Sequence, residues 1–224
     1  LEMFQKETFD LETIDRELGW ARDLGFNSLR VYLHDLLWEE KDGFTERLNI
    51  FLDVCSNYQI KPILVLFDDC HYPFPKLGKQ PLPIQGVHNS GWKQSPGHMI
   101  VNEIKESTNS SHIQRLKKFI QGVLEMYCDD ERILMWDIYN EPGQFGIGEN
   151  SLRLLENVWD WSHEVRPSQP LTSCLEGSIG KKIIDLNKNE SDIITFHAYE
   201  ANKFEQIIKD LLETVFIFFS KKQI

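Results

Sequence analysis

The run Trp136-Asp137-Ile138-Tyr139-Asn140-Glu141-Pro142-Gly143 sets an amide and a carboxyl at the end of an apolar stretch, with a proline directly behind them. Pro142 has no N–H to give a ladder, so a strand should stop there. In a parallel sheet fed by helices, that stop lies at the C-terminal mouth, where active sites are built. A carboxyl so placed can reach the oxygen of a scissile glycosidic bond and act as its general acid, the work that glycoside hydrolysis divides between two carboxyl groups. The same residues also read as an Asx turn closing a strand.

Two further strand ends carry chemistry. Arg30 closes an earlier apolar run, and His197-Ala198-Tyr199 closes a later one. A cation beside carboxylates keeps one of them ionised, whereas an acid must hold its proton near neutral pH. Arg30 also fits a salt bridge at the sheet mouth, and His197 a satisfied core histidine. From about Asp69 to Ser111 the regular alternation lapses into a segment rich in Pro, Gly, His and aromatics. A connection of that length in a compact domain is usually functional. At its head and within it stand Asp68, Asp69, His71, His88, Asn89 and Trp92. Trp92 and Trp38 could each offer a flat face to a sugar ring, although packing uses large aromatics just as readily. The histidines and aspartates lack the fixed spacing of a metal site, so neither metal nor cofactor is expected.

The elements that must position these residues alternate short apolar runs with amphipathic helices, the pattern of βα units around a parallel sheet. The strand runs are Asn27 to Leu33, Pro62 to Phe67, Ile133 to Tyr139, Asp192 to Phe196 and, more weakly, Pro170 to Cys174, with a partial strand at Leu1 to Phe4. Leu48, Phe51, Leu52, Cys55 and Tyr58 recur at helical steps, as do Ile113, Leu116, Phe119, Ile120, Val123, Leu124 and Tyr127. Further helices follow from Leu11, Ile14, Leu18 and Ala21 with Gly25 as a stop, and from Leu152 to Val165 with Pro167 ending the run. The expected class is α/β, one domain over residues 1–224.

Composition narrows the partners. A net charge of -11 and a pI near 5.1 disfavour nucleic acid and anionic membranes, both of which reward a basic face. No apolar stretch of about 18 residues suggests a membrane span, and Leu1-Glu2-Met3-Phe4 lacks the layout of a signal peptide. A neutral ligand fits better. The four cysteines, Cys55, Cys70, Cys128 and Cys174, lie far apart and favour buried free thiols.

On Trp136 to Gly143, on Gly25-Phe26-Asn27-Ser28-Leu29-Arg30-Val31-Tyr32-Leu33-His34-Asp35-Leu36-Leu37-Trp38 and on His197-Ala198-Tyr199, the chain resembles glycoside hydrolase family 5. The likeness is to its bacterial cellulase-like or 1,4-β-xylanase-like members. The resemblance implies a (β/α)8 TIM barrel, incomplete here, with roughly strands one to six present and both ends truncated. It implies a retaining O-glycosyl hydrolase acting on a β-linked oligo- or polysaccharide such as mannan, xylan or glucan. It implies that Glu141, on the fourth barrel strand, is the general acid/base and that Asn140 binds the sugar hydroxyl beside the bond. Arg30, His197, Tyr199, Trp92, His88, Asp68 and Trp38 become substrate-side residues, with Tyr199 near the nucleophile. It implies a secreted or periplasmic setting for the complete protein. The nucleophile Glu of a seventh strand has no counterpart: Val215-Phe216-Ile217-Phe218-Phe219 runs into Ser220-Lys221-Lys222 instead. Glu176 and Glu200 follow the fifth and sixth strands and do not occupy its place. A non-catalytic sugar-binding remnant and a metal-dependent sugar isomerase are the alternatives.

Overall fold

A computed structural model describes residues 1–107, 110–175 and 177–212. Its elements are α1 (Leu11–Asp23), β1 (Ser28–Tyr32), α2 (Lys41–Asn57), β2 (Lys61–Asp68), α3 (His98–Glu106), α4 (Ser111–Met126), β3 (Met135–Asn140), α5 (Leu152–Val165), β4 (Leu171–Thr172) and α6 (Lys181–Glu190). Residues 204–212 are also helical. The strands form one parallel sheet in the order β1-β2-β3-β4, so each crossover is made by helices that cover the sheet. This is the α/β class expected from the alternation, and its four parallel strands match part of the (β/α)8 barrel that the resemblance implies.

Local chemistry accounts for the boundaries. Asp10 caps α1 by accepting from the Thr13 N–H at 3.1 Å, and Gly25 follows the helix at φ 87°. The helical rows are core: Leu48, Phe51, Leu52 and Cys55 of α2 and Leu116, Phe119, Ile120, Val123 and Leu124 of α4 are all buried. Trp136, Ile138, Leu64 and Leu66 complete that core from the sheet.

Three expectations change. Leu1 to Phe4 is not a strand: Glu2–Phe4 is a 3-10 turn that plugs Phe4 edge-on against Phe44 and Phe51, with ring centroids 6.1 and 5.5 Å away. The Pro170 to Cys174 run keeps only Leu171–Thr172 as strand. Asp192 to Phe196 forms no strand, although two backbone bonds tie it to β4 and the residues after it: the Asp192 N–H donates to the Leu171 carbonyl at 2.9 Å and the Leu175 N–H to the Thr195 carbonyl at 2.9 Å. Between those two bonds the Thr172 hydroxyl donates to the Ile193 carbonyl at 2.7 Å and meets the Thr195 hydroxyl at 2.9 Å. The long segment after β2 is irregular only to Gly97, and α3 begins at His98. Cys55, Cys70, Cys128 and Cys174 are all free thiols, two of them buried. Val215 to Phe219 and Glu176 lie outside the described residues. Among the described residues no helix is long and apolar enough to cross a membrane.

Candidate active site

Register brings the chemistry together. Parallel pairing sets Arg30 beside Ile63, Val65 beside Asp137 and Asp68 beside Asn140. Residues from three strands, far apart in sequence, therefore meet at one end of the sheet. The Arg30 guanidinium contacts the Asp137 carboxylate through Nε at 3.1 Å and Nη2 at 2.5 Å, and Nη2 also donates to Asn140 Oδ1 at 2.8 Å. Its third arm meets the Tyr32 hydroxyl, over whose ring it lies at 5.0 Å. Burial opposes that positive charge, but Asp137 more than offsets it and holds the guanidinium's pKa above its ordinary value.

A chain of polar contacts continues outward from Asn140. Its Nδ2 donates to Asp68 Oδ1 at 2.6 Å, and Asp68 Oδ2 pairs with His71 Nδ1 at 2.6 Å. The Asn89 amide then bridges His71 Nε2 at 3.0 Å and His88 Nε2 at 3.1 Å. Because the Asn89 Nδ2 can only donate, His71 Nε2 accepts and the ring carries its hydrogen on Nδ1, toward Asp68. His88 in turn stands edge-on to Tyr199, 5.9 Å away, and Trp92 packs against Tyr32 and His71 at 4.8 and 5.1 Å. A groove of about 650 Å³ lined by Arg30, Tyr32, Ser90 and Trp92 extends along β1 toward α1.

Glu141 follows β3 directly, nearly buried, in contact with His197 Nδ1. Burial pushes its pKa up, yet hydrogen bonds from His197 and the Cys70 thiol, with the charge of Arg30 behind them, outweigh burial and bring the pKa below its ordinary value. The carboxyl is thus ionised at neutral pH, the opposite of what an acid awaiting its substrate requires. Gly177 leaves room for it, since a Cβ there would stand 3.0 Å from Glu141 Cγ.

The loop after Glu141 depends on one glycine. Gly143 has φ 91°, and a Cβ on it would lie 2.7 Å from the Ile179 carbonyl oxygen and 2.9 Å from that of Gly148. Gly143→Ala is therefore expected to cost about 2–4 kcal/mol from backbone strain and overpacking together. Gly146→Ala, at φ 77° with open space around it, should cost only about 1 kcal/mol. Urea denaturation of both variants checks the contrast.

The structure assembles Glu141, Asn140, Arg30, Asp68, His88, Trp92, His197 and Tyr199 into one neighbourhood. It does not bring Trp38 there. That ring packs between Phe44 and Phe119, 6.3 and 6.0 Å away, and fills the space over Gly122, so it serves the contact between helices. Sequence reasoning gave no role to Tyr32 or Asp137, weighed Asp69 and His71 only as metal ligands, and saw Asn89 only as a loop residue. Asp137 alone left a signal, a charge inside an apolar strand run. Among the described residues no group of three or more His, Cys, Asp or Glu side chains is placed to hold a metal ion.

No family model and no curated protein sequence matches the chain. Solved structures do resemble it. The endo-1,4-β-mannanase from Rhizomucor miehei superposes with a TM-score of 0.61 at 14% identity, over 96% of this chain and 72% of its own. GH5_18 from Streptomyces cattleya in complex with GlcNAc gives 0.57 at 13% identity, over 88% and 48%. A variant of the same Streptomyces enzyme in complex with Manβ1-4GlcNAc gives 0.50 at 14%, over 74% and 40%. The chain spans less than half the length of the two Streptomyces structures. Over the part it spans, the chain has the (β/α)8 fold of the glycoside hydrolases, family 5 among them.

Proposed function

We propose that this chain carries the acid/base half of a retaining O-glycosyl hydrolase acting on a β-linked polysaccharide such as mannan, xylan or glucan, with Glu141 as the carboxyl that serves the glycosidic oxygen. The observation that carries the reading is the placement of Glu141 at the end of β3, bonded to His197 and next in sequence to an Asn140 held by Arg30 and Asp68. In this reading Asn140 takes the sugar hydroxyl beside the bond, Trp92 and Tyr199 offer ring faces, and His88 and Asp68 line the approach. Proton delivery requires Glu141 first to take up a proton from solvent and to leave His197 for the glycosidic oxygen, because the present contact stabilises the charged form.

Retaining chemistry needs a second carboxylate about 5–5.5 Å from the first to form the glycosyl-enzyme. Glu200 is engaged with Lys203 at 2.8 Å and does not follow a strand. The chain by itself is therefore expected to turn over 4-nitrophenyl β-mannoside, β-xyloside and β-glucoside no faster than its Glu141→Gln variant. Release of nitrophenol above that variant's rate would refute this expectation and point to another carboxylate of the chain as nucleophile. Calorimetry with mannotriose, xylotriose and cellotriose tests the cleft itself: one should bind, and Asn140→Ala should weaken it at least tenfold.

A second reading, a sugar-binding protein without turnover, is favoured by the ionised state of Glu141. It differs in one result. Saccharide binding would then fall in Glu141→Gln, since the charge itself would be the ligand's partner.

A further inference from the structure

Glu141 holds φ at 44°, a left-handed conformation unusual for a residue with a side chain. Such a backbone persists only where its surroundings over-determine it. Asp69, at the end of β2, reaches the chain on both sides of that residue. Its N–H donates to the Asn140 carbonyl at 3.3 Å, one residue before Glu141. Its carboxylate Oδ2 accepts the Gly143 N–H at 2.8 Å, two residues after, and also the Ser151 hydroxyl. Oδ1 accepts the Tyr139 hydroxyl at 2.8 Å. Asp69 is itself anchored, because Gln94 Nε2 donates to its carbonyl at 2.6 Å.

We infer that Asp69 is a positioning residue that holds Glu141 in its left-handed backbone conformation by gripping Asn140 and Gly143 on either side of it. A wholly buried carboxyl is an expensive way to fill space, and an apolar side chain of similar size would spare the desolvation. What the carboxyl supplies is acceptor capacity: three donors converge on it, and one of them, the Gly143 N–H, cannot turn away. The grip stands on these bonds alone; its value for catalysis rests on the reading of Glu141 given above.

The chemistry predicts which replacement keeps the grip. In Asp69→Asn the amide oxygen can face Gly143 and Ser151 while its NH2 donates to the Tyr139 oxygen, so the grip survives. Asp69→Leu keeps the volume and offers no acceptor. Hydrogen exchange on the full 15N-labelled chain should show the Gly143, Gln144 and Gly148 amides exchanging about tenfold or more faster in Asp69→Leu, with Leu64 and Leu66 in the sheet unchanged. Asp69→Asn should stay within about threefold of wild type. Unchanged exchange at Gly143 in Asp69→Leu, or equal acceleration in the sheet, would overturn the inference.

Should Asp69→Leu not fold, the wild type and Asp69→Asn decide. Burial pushes the Asp69 pKa up to about 7 against the pull of its donors, with Asp68 and Tyr139 the titratable groups beside it. The Gly143 amide shift should therefore follow the titration of the Asp69 carboxyl, read from its own carbon resonance, in the wild type and stay flat in Asp69→Asn; a Gly143 amide that ignores the protonation of Asp69 would sink the idea. Trisaccharide binding is a separate arm. If exchange responds as expected and binding does not, the reading of Glu141 has failed and the grip has not.

Discussion

Replacing Arg30 with alanine is expected to destabilise the chain by about 3–5 kcal/mol, the cost of leaving a buried charge without its partner. Asp137 is 2% exposed, and its Oδ1 already has no hydrogen-bond partner. Its other oxygen is bonded to Arg30. Removing the guanidinium leaves the whole carboxylate dry and unanswered. Arg30→Lys should recover little, since one ammonium cannot reach Asp137, Asn140 and Tyr32 at once as the planar fork does. Adding Asp137→Asn to Arg30→Ala should recover more than half of the loss, because the buried charge goes with it. Chemical denaturation of the single and double variants measures this. A loss below about 1 kcal/mol for Arg30→Ala would show the pair to be solvated like a surface bridge.

Stability should also fall as pH rises from 5 to 8, through Asp69. Its folded pKa of about 7 lies above the unfolded carboxylate value of 3.8, so the folded state holds the proton more tightly. Such a group contributes fully below pH 4, and its contribution is lost as pH passes upward through about 7. A shift of that size corresponds to about 4 kcal/mol. Asp35 and Glu141 act in the other direction: both are held below their ordinary values, and both lose stabilisation in acid. For Asp35 burial is the opposing force, and it is outweighed by His34, Arg115 and Ser95. Asp69→Asn should remove the decline on the alkaline side and leave the acid side alone. Thermal melts of both proteins at pH 5, 6.5 and 8 should then diverge steadily; parallel curves would dismiss the raised proton affinity of Asp69.

Periodicity located β1, β2 and β3 well, because their apolar runs are long and their stops are chemical. It failed where tertiary context overrode a short apolar run. Leu1 to Phe4 is apolar enough for a strand, yet Phe4 finds Phe44 and Phe51 in a 3-10 turn; Asp192 to Phe196 shares its carbonyls between the Thr172 hydroxyl and the Leu175 N–H rather than a continuous ladder. Glu141, Asn140 and Arg30 were legible because their residue types at strand ends carry meaning before any partner is known. The bonds that join them were not legible, since Arg30 and Asp137 meet only through strand register. Trp38 misled for a related reason: an indole that stacks on sugar and one that fills the gap over Gly122 read identically in sequence.

The contacts from His88 through Asn89, His71, Asp68, Asn140 and Arg30 to Asp137 form one unbroken series from an exposed loop to a buried carboxylate. Members of such a network do not contribute independently, and their pairwise coupling commonly reaches a kcal/mol or more, on the order of a tenfold effect. The cost of a change at Asn89 thus depends on what occupies Asp68, and that in turn on Asn140. Epistasis is therefore built into this site. Single substitutions at Tyr199, exposed at the rim, should therefore be tolerated, whereas changes along the series itself call for coordinated substitutions.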